Sequence, residues 1–302
     1  MIICAVGVFI DISVITVAPI ALAIGKKSGY HKEALLLAMI GGGKAGNIIS
    51  PNPNTIAVSE AFKVDLTSLM MKNFIPAICA VVVTILLSTM ISKKQGVQVT
   101  ENDLEQKGDK NLPSFIQAVA GPVVVVILLA LRPVASIVID PLIALPVGGV
   151  VCALACGQIK NIREYAEFGL GKVVGVSVLL IGTGTIAGII KASALQYDVV
   201  HILKMANMPA FLLAPIAGIL MAGATASTTA GATIGAQTFA GTLIKSGVSA
   251  LSAGAMVHAG ATVIDSLPHG SFFHATGGAA GLEIKELSLI HISEPTRRTP
   301  IS

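Results

Sequence analysis

The sequence predicts an all-α membrane protein, a polytopic helical transporter with inverted-topology repeats, broken helices and re-entrant hairpins. Three observations carry this reading: a composition too apolar for a soluble fold, apolar blocks of spanning length, and an internal repeat about 215 residues apart. Of 302 residues, 54% are hydrophobic and 12% charged, where soluble domains run roughly 45–50% and about 25%. With so few charges a soluble fold of this size could not cover its own surface.

The apolar residues gather into blocks at Ile2 to Ile24, Phe74 to Ile91, Phe115 to Leu131, Ile137 to Cys156, Phe168 to Ile190 and Pro209 to Ala222. Several approach the ~20 residues that cross a ~30 Å hydrocarbon core at about 1.5 Å per residue. The first block is too long for a secretory signal, carries Asp11 at its centre and lacks a basic start, so it reads as a span. Residues 1–91 form a first repeat core with a broken helix at 41–55. Residues 92–112 form a polar loop, read as cytoplasmic, and 113–190 supply connecting scaffold helices. Residues 191–286 form a second repeat core, within which the small-residue stretch Thr225 to Leu243 reads either as a span or as a re-entrant hairpin. Residues 287–302, LSLIHISEPTRRTPIS, continue no span and read as a non-native tail. The chain also opens inside an apolar block, so both ends read as truncated.

The repeat sets the architecture. Lys27-Ser28-Gly29, Ala34-Leu35 and Ala38-Met39-Ile40 recur as Lys245-Ser246-Gly247, Ala250-Leu251 and Ala255-Met256-Val257. Ile48-Ile49-Ser50-Pro51 then aligns with Val263-Ile264-Asp265-Ser266. Counting crossings outward from the polar loop places the two Lys-Ser-Gly turns on opposite sides of the membrane, the signature of inverted repeats. The same count puts nine basic residues on the loop side against six on the other, which weakly favours that side as cytoplasmic.

Chemistry concentrates where the helices should break. Gly41-Gly42-Gly43 and the prolines of Ser50-Pro51-Asn52-Pro53-Asn54-Thr55 interrupt an otherwise apolar stretch. Broken backbone is tolerated at membrane depth only inside protein or along a cavity. Freed amides at a half-helix start suit a carboxylate. Asn47, Ser50, Asn52, Asn54 and Thr55 offer hydrogen bonds to hydroxyls; the same segment reads alternatively as a polar surface loop between two short helices. In the second half Thr225, Ser227 and Thr228 stand in an uncharged small-residue run that suits substrate contact or plain helix packing. Ser266 and His269 follow the second break.

Ionisable residues within spans are costly and so are functional candidates. Asp11 and Asp265 are candidate proton carriers. His258 lies seven residues before Asp265, on the same face of a continuous helix, which would make a relay. Lys44 would pair with one of these acids or attract an anionic substrate. Each reads equally as a structural ion pair or hydrogen bond, and Asp140 and Lys172 rank lower. The four cysteines lie in apolar segments without zinc spacing and read as buried thiols.

Phe9-Ile10-Asp11, Val17-Ala18-Pro19-Ile20-Ala21, the glycine-lysine-asparagine segment through Thr55, and His258-Ala259-Gly260 through Asp265-Ser266-Leu267-Pro268-His269-Gly270 resemble the gluconate permease family of proton symporters, within the ion transporter superfamily. The resemblance extends from Ile2 to Glu286. It implies proton-coupled uptake of gluconate or a related small hydroxy acid across the bacterial inner membrane, through paired hairpins and broken helices. It also implies further helices beyond both ends. Relatives carrying D-serine or other small carboxylates share such motifs, so substrate identity does not follow from them.

The expected partners are a small organic acid, protons and the lipid bilayer, with room for a homo-oligomer and no cofactor. Nucleic acid is not among them, because the net charge of +4 is dispersed and unaccompanied by aromatics. A membrane-embedded enzyme has no support in the motifs: there is no Gly-x-Ser-x-Gly elbow and no His-Glu-x-x-His site. A channel would share the broken helices, and the carboxylates at Asp11 and Asp265 favour coupled transport over it.

Overall fold

Every regular element among the described residues is helical. The computed structural model describes residues 1–93, 96–104, 113–135, 137, 139–194, 197–198, 201, 205 and 209–282. The tail at 287–302, residues 94–95 and 105–112 of the polar loop and the Lys172 side chain lie outside them. The α-helices are α1 (Ile2–Ala5), α2 (Ile10–Ser28), α3 (Lys32–Asn47), α4 (Pro53–Phe62), α5 (Leu66–Lys72), α6 (Phe74–Ser92), α7 (Phe115–Ala135), α8 (Pro141–Ala155), α9 (Ile162–Ala192), α10 (Leu213–Thr225), α11 (Thr228–Lys245), α12 (Ala250–Ala261) and α13 (Ser271–Ala279).

Each half carries a helix that breaks and resumes. In the second half, α10 and α11 form a tight helical hairpin whose tip is Ala226, in the left-handed region at φ 45°, and Ser227. A Cβ on Gly231 would come within 2.4 Å of the Ala222 backbone, so the two arms touch through a glycine. The stretch Thr225 to Leu243 is thus one arm and the tip of a hairpin. α12 follows, breaks at residues 262–270, and resumes as α13. In the first half α1 and α2 flank an interruption at Val6 to Phe9, α3 follows, breaks at residues 48–52, and resumes as α4.

Two sequence expectations are corrected here. Ile2 to Ile24 is not one span: Gly7, at φ +110°, turns the chain between α1 and α2. Asp11 therefore stands in the first turn of α2, where an acid suits the helix dipole, rather than at mid-helix. The glycines at 41–43 stay helical, and the break comes only at Ile48, after which Asn52 caps and Pro53 opens α4. Proline fits that first position because its missing N–H would be unpaired there anyway.

The halves are interlocked. α4 packs on α11 and α12 of the second half, where Val58 and Phe62 join Leu213, Phe239, Leu243 and Val257 in one core. Conversely α13 packs on α2 and α3, where Phe273 joins Cys4, Ile10, Val14, Leu36 and Ile40. Lipid tails are as apolar as these side chains, so close packing rather than water exclusion holds such contacts inside a bilayer.

α7 and α8 form a separate hairpin, closed through Gly121 against Gly148. α6 is the one helix among the described residues that is both long and apolar enough to cross a membrane alone. Its 19 residues span about 28 Å, and Ile75, Val82, Leu86 and Met90 are half or more exposed. Cys79 on this helix is exposed too, contrary to the expectation that all four thiols are buried. A continuous apolar outer face explains this, since a thiol suits lipid as well as core.

Candidate functional site

The last turn of α3, the second break and the start of α11 beyond the hairpin tip converge on Asp265. Its carboxylate is 2% exposed, and Oδ1 lies 2.5 Å from Lys44 Nζ, one turn before the end of α3. The Thr228 hydroxyl, at the start of α11, donates to Oδ2 in a close contact. The Ser266 hydroxyl donates to Oδ1 at 3.0 Å. Gly223 and Gly270 let the tip approach: a Cβ on the first would meet Ile264, and on the second the Ala226 carbonyl at 2.5 Å. A buried carboxylate is sustained only by such a charge partner and hydrogen bonds.

The first break carries an amide cluster. Asn52 Nδ2 donates to the Asn47 carbonyl at 2.9 Å and to Asn47 Oδ1 at 2.5 Å. Asn52 Oδ1 accepts from the Asn54 and Thr55 backbone amides at 2.9 and 3.0 Å and from the Thr55 hydroxyl at 3.2 Å. The α4 amides expected to greet a substrate are therefore occupied by their own cap. Buried and without partners among the described residues of this break are Asn47 Nδ2, Ser50 Oγ and Asn54 Oδ1. A buried polar atom costs about 1–3 kcal/mol when unpaired, so at this break one amide donor, one hydroxyl and one amide acceptor are open to a ligand.

Other candidates fall elsewhere. Thr225 donates to the Met221 carbonyl at 2.8 Å, and Ser227 caps α11 by accepting from the Ala230 amide at 3.3 Å, so both serve the hairpin tip. His269 is exposed and makes no hydrogen bond with the site. Asp11 has no ion pair or hydrogen bond among the described residues. The relay from His258 to Asp265 is not formed: α12 ends at Ala261, so helical periodicity does not reach Asp265, and both ring nitrogens of the fully buried His258 lack partners.

Sequence reading missed Asn73, fully buried, whose Nδ2 donates to the Ile48 carbonyl at 3.2 Å and holds the first break against α6. It also missed Lys32. A cation in the first turn of a helix opposes the dipole, which was the available signal that Lys32 is bound by something else. Lys32 Nζ lies 2.6 Å from Asp103 and donates to the Gly281 carbonyl at 3.1 Å. Burial raises the Asp103 carboxyl, but hydrogen bonds from Lys32 and Thr100 and the Lys32 charge outweigh it and hold the group below its ordinary value. The open groove along Pro19, Ile20, Ala23, Ile24 and Lys27 is apolar and lies on the outer side of α2, apart from all these groups.

A helical chain with an apolar outer surface, two interlocked broken helices and a buried ion pair where they meet is built as a membrane transporter. The comparisons agree. A Haemophilus influenzae protein named an uncharacterized transporter is 51% identical over 286 residues, covering 95% of this chain and 68% of that protein. The chain belongs to that transporter family. A family model described as the Na+-H+ antiporter family matches residues 117–207, from α7 through α9 and beyond. No solved structure matches the chain.

Proposed function

We propose that this transporter imports gluconate or a related small hydroxy acid by proton symport across the bacterial inner membrane. The observation that carries the reading is the buried Lys44–Asp265 pair set between the two broken helices. A proton on Asp265 neutralises the carboxylate and frees the Lys44 ammonium, which then takes the substrate carboxylate in its place. The sum is one proton and one anion per cycle, with no net charge left in the site. Asn47 Nδ2, Ser50 Oγ and Asn54 Oδ1 supply donors and acceptors for substrate hydroxyls. A broken helix that resumes as a half-helix in each half supports alternating access by exchange of conformations between inverted halves.

Uptake of labelled gluconate into proteoliposomes tests this. An inward proton gradient should drive accumulation, and a protonophore should abolish it. Uptake indifferent to the protonophore overturns proton symport. A panel of sugar acids, D-serine and other D-amino acids ranks the substrate.

The match to the Na+-H+ antiporter family at 117–207 favours a second reading, exchange of sodium for protons, with Asp265, outside the matched segment, as the candidate carboxylate. Asp265, Thr228 and Ser266 present hard oxygen atoms, and Lys44 would compete with the cation for Asp265. A sodium pulse that alkalinises acid-loaded proteoliposomes, together with failure to carry any acid of the panel, selects this reading over the first.

A further inference from the structure

We propose that residues 96–104 are a latch that closes one end of the transport path, with the Lys32–Asp103 ion pair as its fastening. The proposal rests on the reading of the chain as an alternating-access carrier.

The latch is seated at several points. The Lys32 backbone amide donates to the Val97 carbonyl at 2.9 Å, and the Val97 amide donates to the Glu33 carboxylate at 3.0 Å. Val99 packs with Leu22 and Leu35 beneath the α2–α3 turn. Asp103 Oδ2 accepts from the Thr100 amide and hydroxyl, both at 2.7 Å, which leaves Oδ1 aimed at Lys32. Gly96 lies so close to His31 and Glu33 that a Cβ would come within 2.6 Å of the imidazole.

Lys32 does more than hold the latch to its own helix. Its Nζ also reaches the carbonyl of Gly281, just past the end of α13, in a position with φ +61°. One ammonium therefore joins the first half, the latch and the end of the second half. The Lys32 and Asp103 side chains are only 7% and 14% exposed. Separating them strands a largely buried cation, so the junction is held shut until the whole segment moves.

The opposite end is built differently. At the matching start of α12, Ser249 caps its own helix by accepting from the Ser252 amide, and Ala250 takes the first helical position. There α4 runs on through Lys63 into α5, whose Leu66 and Leu69 are buried. The latch end opens by parting the Lys32–Asp103 ion pair.

A cysteine placed at the buried Ala280, beside the latch, reports opening in protein whose four native cysteines are replaced. In inside-out membrane vesicles, which present the polar-loop side to the reagent, labelling by an impermeant maleimide should rise at least tenfold in Asp103→Asn and in Lys32→Met. The exchanged pair Lys32→Asp/Asp103→Lys should return it toward the starting rate. Unchanged labelling in a normally melting Asp103→Asn protein overturns the latch. Should that variant fail to fold, a Lys32→Cys/Asp103→Cys disulfide should hold the Ala280→Cys-free carrier inactive until reduced, and undiminished activity when oxidised overturns it equally. Labelling needs no substrate. Tenfold faster labelling in a protein that carries no acid leaves the latch standing and removes the gluconate reading alone.

Discussion

Lys44 Nζ and Asp265 Oδ1 lie 2.5 Å apart across 221 residues of sequence, joining the last turn of α3 to the second break. Breaking a buried ion pair from one side costs more than removing it altogether, because the surviving charge stays behind without compensation.

Asp265→Ala should therefore lower stability by about 3–5 kcal/mol, whereas Lys44→Met/Asp265→Leu should recover most of that loss. Unfolding in detergent measures both. All these variants should be inactive in transport. If the double variant is no more stable than the single, the pair is not the determinant of stability described here.

Asn52 and Asn54 should separate into structural and substrate roles. Asn52→Ala removes the cap of α4 and should cost about 1–2 kcal/mol in melting experiments. Asn54→Ala leaves that cap in place and should instead raise the apparent KM for gluconate about tenfold, the value of one hydrogen bond to substrate of roughly 1.4 kcal/mol.

Gly231→Ala should destabilise the hairpin by about 1–3 kcal/mol, because the added methyl collides with the Ala222 backbone. Gly241→Ala, further along the same helix and with open space around its Cβ, is the control and should be neutral or slightly stabilising. Melting temperatures of the two purified variants decide the point.

The latch predicts a pH signature. Asp103 has its carboxyl held below the ordinary value of 3.8 in the folded protein. The sign follows from linkage: its contribution is complete above 3.8 and is lost as pH falls through the lower folded value. The melting difference between the wild type and Asp103→Asn should be constant from pH 7 to 5, shrink below 3.8 and then vanish.

Much of this architecture was legible in the sequence. Composition identified the helical membrane class, and the recurrence of Lys27-Ser28-Gly29 at Lys245-Ser246-Gly247 marked turns that occupy equivalent places between α2 and α3 and between α11 and α12. Asn52-Pro53 announced a helix start as much as a break, and the reading of Asn52 as a substrate ligand overlooked that local use of its side chain. The interruption at Gly7 was hidden because apolar residues continue through it. Lys44 was recognised as a partner for an acid, but periodicity along one helix cannot choose between acids supplied by distant segments. Residues 96–104 mix Val97, Val99 and Leu104 with polar residues over too short a run to place it, so only the fold brings Asp103 to Lys32.

The reciprocal seating of α4 on α11 and of α13 on α2 also has a consequence for synthesis. The ribosome completes α4 long before α11 exists. At roughly 5–20 residues per second, the face of α4 carrying Val58 and Phe62 waits on the order of 10–35 s for its seat. Throughout that interval the nascent first half must shelter Asn47, Asn52 and Asn54 without the second. Packing of α4 on α11 is thus completed only after most of the second half has been made.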